Sequence, residues 1–152
     1  MTQRIGIIGP ESTGKSTLAQ YLAKRYHGVY VPEYARTYME NINRPYTIND
    51  VETIAKQQIE QLQHLSDGLY FFDTELIVTK VWFDYKYHRV PLWLEEAIHA
   101  YPMDTYLLTY PDIKWEPDPV RENPDIRLEL FERYEQEIQQ LNIPYYIIKH
   151  TC

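Results

Sequence analysis

Near the start of this 152-residue chain, Gly9-Pro10-Glu11-Ser12-Thr13-Gly14-Lys15-Ser16-Thr17 fits the pattern G-x-x-x-x-G-K-[ST], set between an apolar segment and an amphipathic one. That placement commits the chain to a strand, a tight loop and a helix in that order. Ile5, Ile7 and Ile8 form the buried strand, and Leu18, Leu22 and Tyr26 recur at helical spacing. A loop that wraps a polyphosphate must aim several main-chain N–H groups inward, at backbone angles that Gly9 and Gly14 tolerate. Gly14 and Lys15 then open the helix, whose positive N-terminal end adds to an anion site. Gly9, Glu11, Ser12, Thr13, Gly14, Lys15, Ser16 and Thr17 are therefore expected to bind ATP. In that cradle the Lys15 ammonium reaches the β- and γ-phosphates, and the Ser16 hydroxyl ligates Mg²⁺.

The remaining apolar runs alternate with longer helical patterns, which predicts βαβ units, a parallel sheet and helices on both its faces. Strands are expected at Arg4–Ile8, Val29–Val31, Leu69–Asp73, Thr105–Thr109 and Tyr145–Ile148. Helices are expected over residues 14–26, from an Asn49 N-cap to about Leu65, from Asp73 to about His88, over Leu92–Ala100 and over Pro124–Leu141. Residues 40–46 read as a polar link. Residues 111–124, with four prolines, Trp115 and Arg121, read as a lid. The expected fold is a P-loop NTPase: one domain over 1–152, three-layer α/β/α, with a five-stranded parallel sheet.

With 44% hydrophobic residues the chain can build one core, and its formal charge of −7 argues against nonspecific nucleic-acid binding. No apolar run approaches the roughly 20 residues of a membrane span, and the first apolar segment is too short for a signal peptide. The single cysteine, Cys152, permits no internal disulfide. These features suit a cytoplasmic enzyme acting on a small molecule. The fifteen tyrosines are expected at the core boundary, where one or two could stack on a base. Oligomeric state is not encoded in any pattern of the chain.

Tyr70-Phe71-Phe72-Asp73 is an apolar strand ending in a carboxylate, which parallel order places beside the phosphate loop. Asp73 is read as a magnesium ligand in preference to a helix cap, with Glu75 as a second candidate. Glu33 and Arg36 follow the second strand and should emerge at the same edge. There Glu33 can accept the proton of an attacking hydroxyl and Arg36 can hold a ribose or phosphate, or the two can simply form an ion pair. Asp73 competes with Glu33 for the base. Arg121 is read as a lid arginine that neutralises charge in transfer, and Arg127 is balanced between that role and a solvated one. His64, His88, His99 and His150 show no metal spacing.

Together the loop at 9–16, Glu33-Tyr34-x-Arg36, Phe71-x-Asp73-Thr74, Tyr101-Pro102-x-Asp104 and Asp118-x-x-Arg121 resemble the ribosylnicotinamide kinase domain of NadR-type proteins, small phosphate-loop kinases with an AAA-type ATPase-like domain. The resemblance runs in the same order over nearly the whole chain. It implies phosphorylation of nicotinamide riboside by ATP with Mg²⁺, a step of NAD biosynthesis. By the same resemblance Asp73 lies at magnesium and acceptor hydroxyl, Glu33 and Arg36 face the nucleoside, and Arg121 comes from the lid. The adenylyltransferase domain of fuller family members and their terminal helix are expected to be missing from this sequence. Competing expectations are a kinase for another nucleoside or metabolite, and a phosphate-loop ATPase that works as a regulatory or partner-binding switch.

Overall fold

The computed structural model describes residues 1–111 and 126–149. Arg121, Trp115, His150, Cys152 and nearly all of the expected lid lie outside the described residues. In chain order the elements are β1 (Thr2–Ile8), α1 (Lys15–Arg25), β2 (Val29–Val31), α2 (Tyr34–Asn41), α3 (Ile48–Gln63), β3 (Gly68–Asp73), α4 (Leu76–Tyr87), α5 (Leu92–Ala100), β4 (Thr105–Thr109), α6 (Arg127–Leu141) and β5 (Tyr145–Ile148).

All five strands are parallel, in the order β2-β3-β1-β4-β5. Right-handed crossovers turn that order into layers. The step from β1 to β2 runs in one direction across the sheet, and the steps from β2 to β3, β3 to β4 and β4 to β5 run in the other. Accordingly α1 sits on one face, its Ala19 and Ala23 packed on Ile7 and Phe71. On the opposite face Ile8, Phe72, Tyr106 and Leu108 meet the larger core, which includes Val51, Leu76, Phe83 and Ile138 from α3, α4 and α6. Adjacent residues of one strand, such as Ile7 and Ile8, thus belong to different cores, as strand alternation requires.

Two helices depart from the sequence expectation. The α3 N-cap is Thr47, not Asn49, because Thr47 and Asp50 form a reciprocal capping box. Asp50 is 2% exposed and also takes both Arg44 guanidinium nitrogens, at 2.7 and 2.8 Å, and the Tyr38 hydroxyl at 2.7 Å. Helix α2 stands where the sequence suggests no separate helix: it is only eight residues long, and its apolar stripe, Tyr34, Ala35, Tyr38 and Met39, spans little more than one turn and is only half-buried. Its Tyr34 and Tyr38 rings, one turn apart, lie 6.2 Å from each other.

Candidate functional site

Parallel order brings four strand ends to one edge of the sheet. The register pairs Ile7 with Asp73, so the loop that starts at Gly9 begins beside the carboxylate that ends β3. Glu33 follows β2, and Thr109 closes β4. The chain reverses direction across the sheet between β1 and β3, and such a switch point is where open α/β sheets form crevices.

Interior hydroxyls shape the loop. Thr13, 1% exposed, donates to the Pro10 carbonyl at 2.7 Å and accepts the Thr109 hydroxyl at 2.6 Å, and the Ile8 carbonyl stands 3.3 Å from the Thr109 oxygen as a weaker alternative acceptor. Gly14 holds φ 79° immediately before α1. A Cβ at Gly9 would stand 2.0 Å from the Thr109 hydroxyl and 2.8 Å from its carbonyl, so only glycine allows β4 this close. Lys15 folds over the loop and donates to the carbonyls of Gly9 and Pro10 at 3.0 and 3.2 Å. Burial lowers its pKa, opposed by the fields of Glu33, Asp73 and Glu11. Ser12 sits in the left-handed region at φ 59° with its hydroxyl buried and unpaired among the described residues.

The Asp73 carboxylate, 1% exposed, is a second focus. Its Oδ2 accepts from the Ser16 hydroxyl at 2.5 Å and from the Tyr30 hydroxyl at 2.9 Å, while its buried Oδ1 has no hydrogen-bond partner among the described residues. A carboxylate oxygen left buried without a donor calls for a cation. Together with the Ser16 hydroxyl it supplies hard oxygen donors of the kind Mg²⁺ takes.

Asp73 does not cap α4. That role falls to Glu75, whose carboxylate accepts from the Ile77 N–H at 2.9 Å. Burial pushes Glu75 up to about 7, and its contacts lie with the helix end and Tyr106, not with Ser16. The expectation of Glu75 as a second metal ligand therefore gives way to a capping role.

Glu33 stands a few residues along the same edge. Its Oε1 accepts from the Thr74 hydroxyl at 2.8 Å, and Arg36 Nε lies 3.7 Å from Oε2. Arg36 is 69% exposed on its side chain, and an ion pair so long and so wet contributes little. Thr74 adopts φ 74°, a left-handed conformation costly for a β-branched residue, pinned by its N–H to the Ile7 carbonyl at 2.9 Å. Thr74 also borders a small cleft of about 10 Å³, room for about one water, lined by Val31, Leu62, Phe72 and Leu76 on its apolar side and by Tyr34, Gln58 and Glu75 on its polar side.

Helix α6 reaches the loop from the other side. Arg127 donates to the Glu11 carbonyl at 3.4 Å. Tyr134, 5% exposed, has its phenol pKa pushed up by burial, with Glu11 and Glu33 adding to the effect.

The structure thus brings together Gly9 to Thr17, Glu33, Arg36, Asp73 and Arg127. Tyr101-Pro102-x-Asp104 lies at the other end of β1, where Asp104 accepts the Arg4 main-chain N–H at 2.7 Å and the Pro102 carbonyl takes the Arg4 guanidinium at 3.1 Å. Sequence reasoning missed Tyr30, Thr109 and Tyr134. Tyr30 and Thr109 bond to residues 43 and 96 positions away, Tyr134 feels the charges of Glu11 and Glu33, and no local spacing signals such meetings.

A family model described as an AAA domain matches residues 4–152. Among solved structures, NadR protein in complex with NAD and AMP-PNP superposes with TM-score 0.76 and 22% identity, covering 99% of this chain and 44% of that one. NadR protein in complex with NR gives the same TM-score and identity over 96% and 43%. Thymidylate kinase from Ehrlichia chaffeensis matches at TM-score 0.67 and 11% identity, over 99% and 88%. Deoxyadenosine kinase from M. mycoides matches at 0.62 and 15%, over 95% and 88%. The chain spans less than half the length of the NadR chains. No curated protein matches it. These likenesses establish a NadR-like, phosphate-loop kinase fold.

Proposed function

This chain belongs to the AAA domain family, and we propose that within it the protein is an ATP-dependent kinase that phosphorylates a hydroxyl of a small nucleoside, most specifically nicotinamide riboside. One observation carries the reading: two carboxylates at one sheet edge sit in different settings. Asp73 is bound to the loop hydroxyl of Ser16, and Glu33 is held by the hydroxyl of Thr74, a residue that borders a separate small cleft. Carboxylates pushed into distinct environments take distinct roles. The NadR structure that holds NR, and the nucleoside and nucleotide kinases of the same fold, favour a nucleoside acceptor.

Bound ATP with Mg²⁺ supplies the phosphoryl group and neutralises its charge. The chain's own residues do the rest. Main-chain N–H groups of residues 9–17 cradle the polyphosphate, and Lys15 exchanges the Gly9 and Pro10 carbonyls for phosphate oxygens. The Ser16 hydroxyl and Oδ1 of Asp73, which has no partner among the described residues, would hold the cation. Glu33 takes the proton from the acceptor hydroxyl, and Arg36 and Tyr34 flank the acceptor. Arg121 is assigned to the phosphates. Catalysis of this kind is positioning and charge stabilisation.

The test is ADP release from ATP and Mg²⁺ across a panel of nucleosides. Release that depends on the acceptor and is fastest with nicotinamide riboside supports the proposal. Equal release without acceptor would indicate a switch-type ATPase instead. Replacing Lys15 with alanine should abolish transfer and weaken ATP binding.

A further inference from the structure

The two oxygens of the Asp73 carboxylate are treated unequally. Oδ2 accepts two hydroxyls, Ser16 at 2.5 Å and Tyr30 at 2.9 Å, while the buried Oδ1 has no hydrogen-bond partner among the described residues. A carboxylate held only for stability would spread its donors over both oxygens, since each has lone pairs to satisfy. Both donors on one oxygen stop the group from turning over about its last torsion and leave the other oxygen bare.

The two donors differ in what else they do. Ser16, the second residue of α1, is assigned as an oxygen donor to the cation, so its hydroxyl has another task. Tyr30 has no such task. It lies on the edge strand β2 opposite Phe71, and its ring packs against the small core of Ile7, Ala19, Ala23 and Phe71. Phe71 and Asp73 share one face of β3, so a ring seated beside Phe71 delivers its hydroxyl to the carboxylate two residues on.

We propose that Tyr30 is a positioning residue of the cation site: its hydroxyl fixes the orientation of Asp73 so that Oδ1 stays available to the divalent cation that accompanies ATP. This rests on the nucleotide-binding part of the kinase reading and on no particular acceptor. Partners that orient a metal ligand without touching the metal typically carry about 10- to 100-fold of its affinity.

The test is calorimetric and needs no turnover. AMP-PNP is titrated into the full chain with Mg²⁺ and again with EDTA, and the ratio of the two affinities measures what the cation adds. Tyr30→Phe removes one oxygen and keeps the ring. It should cut that ratio by about tenfold while the affinity in EDTA stays unchanged. Because Tyr30 acts through Asp73, the same change should cut the ratio no further in an Asp73→Asn background. A hydroxyl that only stabilises the fold would lower the melting temperature and leave the ratio at its native value, which would overturn the proposal. An equal loss in both backgrounds would overturn it too. If Mg²⁺ adds nothing in the native chain, the cation site is refuted, and the role of Tyr30 with it. A ratio that falls in Tyr30→Phe while no nucleoside is phosphorylated upholds Tyr30 and refutes the kinase reading alone.

Discussion

The Ser16 hydroxyl and the Asp73 carboxylate meet at 2.5 Å although 57 residues separate them in sequence. The link joins the first residue after the loop lysine to the end of β3, and it exists because β1 and β3 are neighbours in register. Both partners have a second use in the proposed enzyme, as oxygen donors to a cation, and the free Oδ1 of Asp73 is already placed for it.

From that arrangement, Asp73→Asn should raise the Mg²⁺ concentration needed for half-maximal turnover by about tenfold or more. The check is a Mg²⁺ titration at saturating ATP. An unchanged midpoint would take Asp73 out of the cation site and leave it as a tether for Ser16 and Tyr30.

Glu33→Gln keeps an acceptor for the Thr74 hydroxyl but removes the proton-accepting charge. Turnover is expected to fall by about 10²- to 10⁴-fold with KM for ATP nearly constant. Thermal melting measured alongside separates this from an ion-pair role, which would lower stability and activity together. The exposure of Arg36 makes the stability change small.

Gly9→Ala should destabilise the fold by about 1–3 kcal/mol, because the new methyl group overlaps the Thr109 hydroxyl and its carbonyl. Denaturant melts measure the loss. Pairing the change with Thr109→Ala removes the nearer clash, and partial recovery in the double variant would identify Thr109 as the obstacle.

Asp50 gives a pH signature. Hydrogen bonds from Arg44, Tyr38 and the Thr47 main chain, in that order, hold its carboxyl well below the ordinary carboxylate range. A pKa lowered by folding contributes stability above the unfolded value, and that contribution is lost as pH falls through the folded value. The native chain should therefore melt above Asp50→Asn at neutral pH by a gap that stays level down to about pH 5 and closes below about pH 4. A gap that is flat through pH 3 would mean that the network works without the charge.

Local chemistry alone decided a good part of this protein. The strand-loop-helix unit around Gly9 to Thr17, all five strands and the parallel α/β class follow from spacing and alternation, which depend on backbone geometry over a few residues. The same local signals are too short to mark α2, whose apolar stripe is only half-buried, and they misplace the start of α3, where Thr47 beat Asn49 because Asp50 could answer it. Only tertiary packing could assign partners across the chain: Ser16 and Tyr30 to Asp73, Thr74 to Glu33, Thr109 to Thr13, Thr79 to Gln58. Which polar side chains stay unpaired depends on strand order, and strand order is set by how the layers bury their apolar faces together. That is a property of the whole chain, and no window of it carries the information.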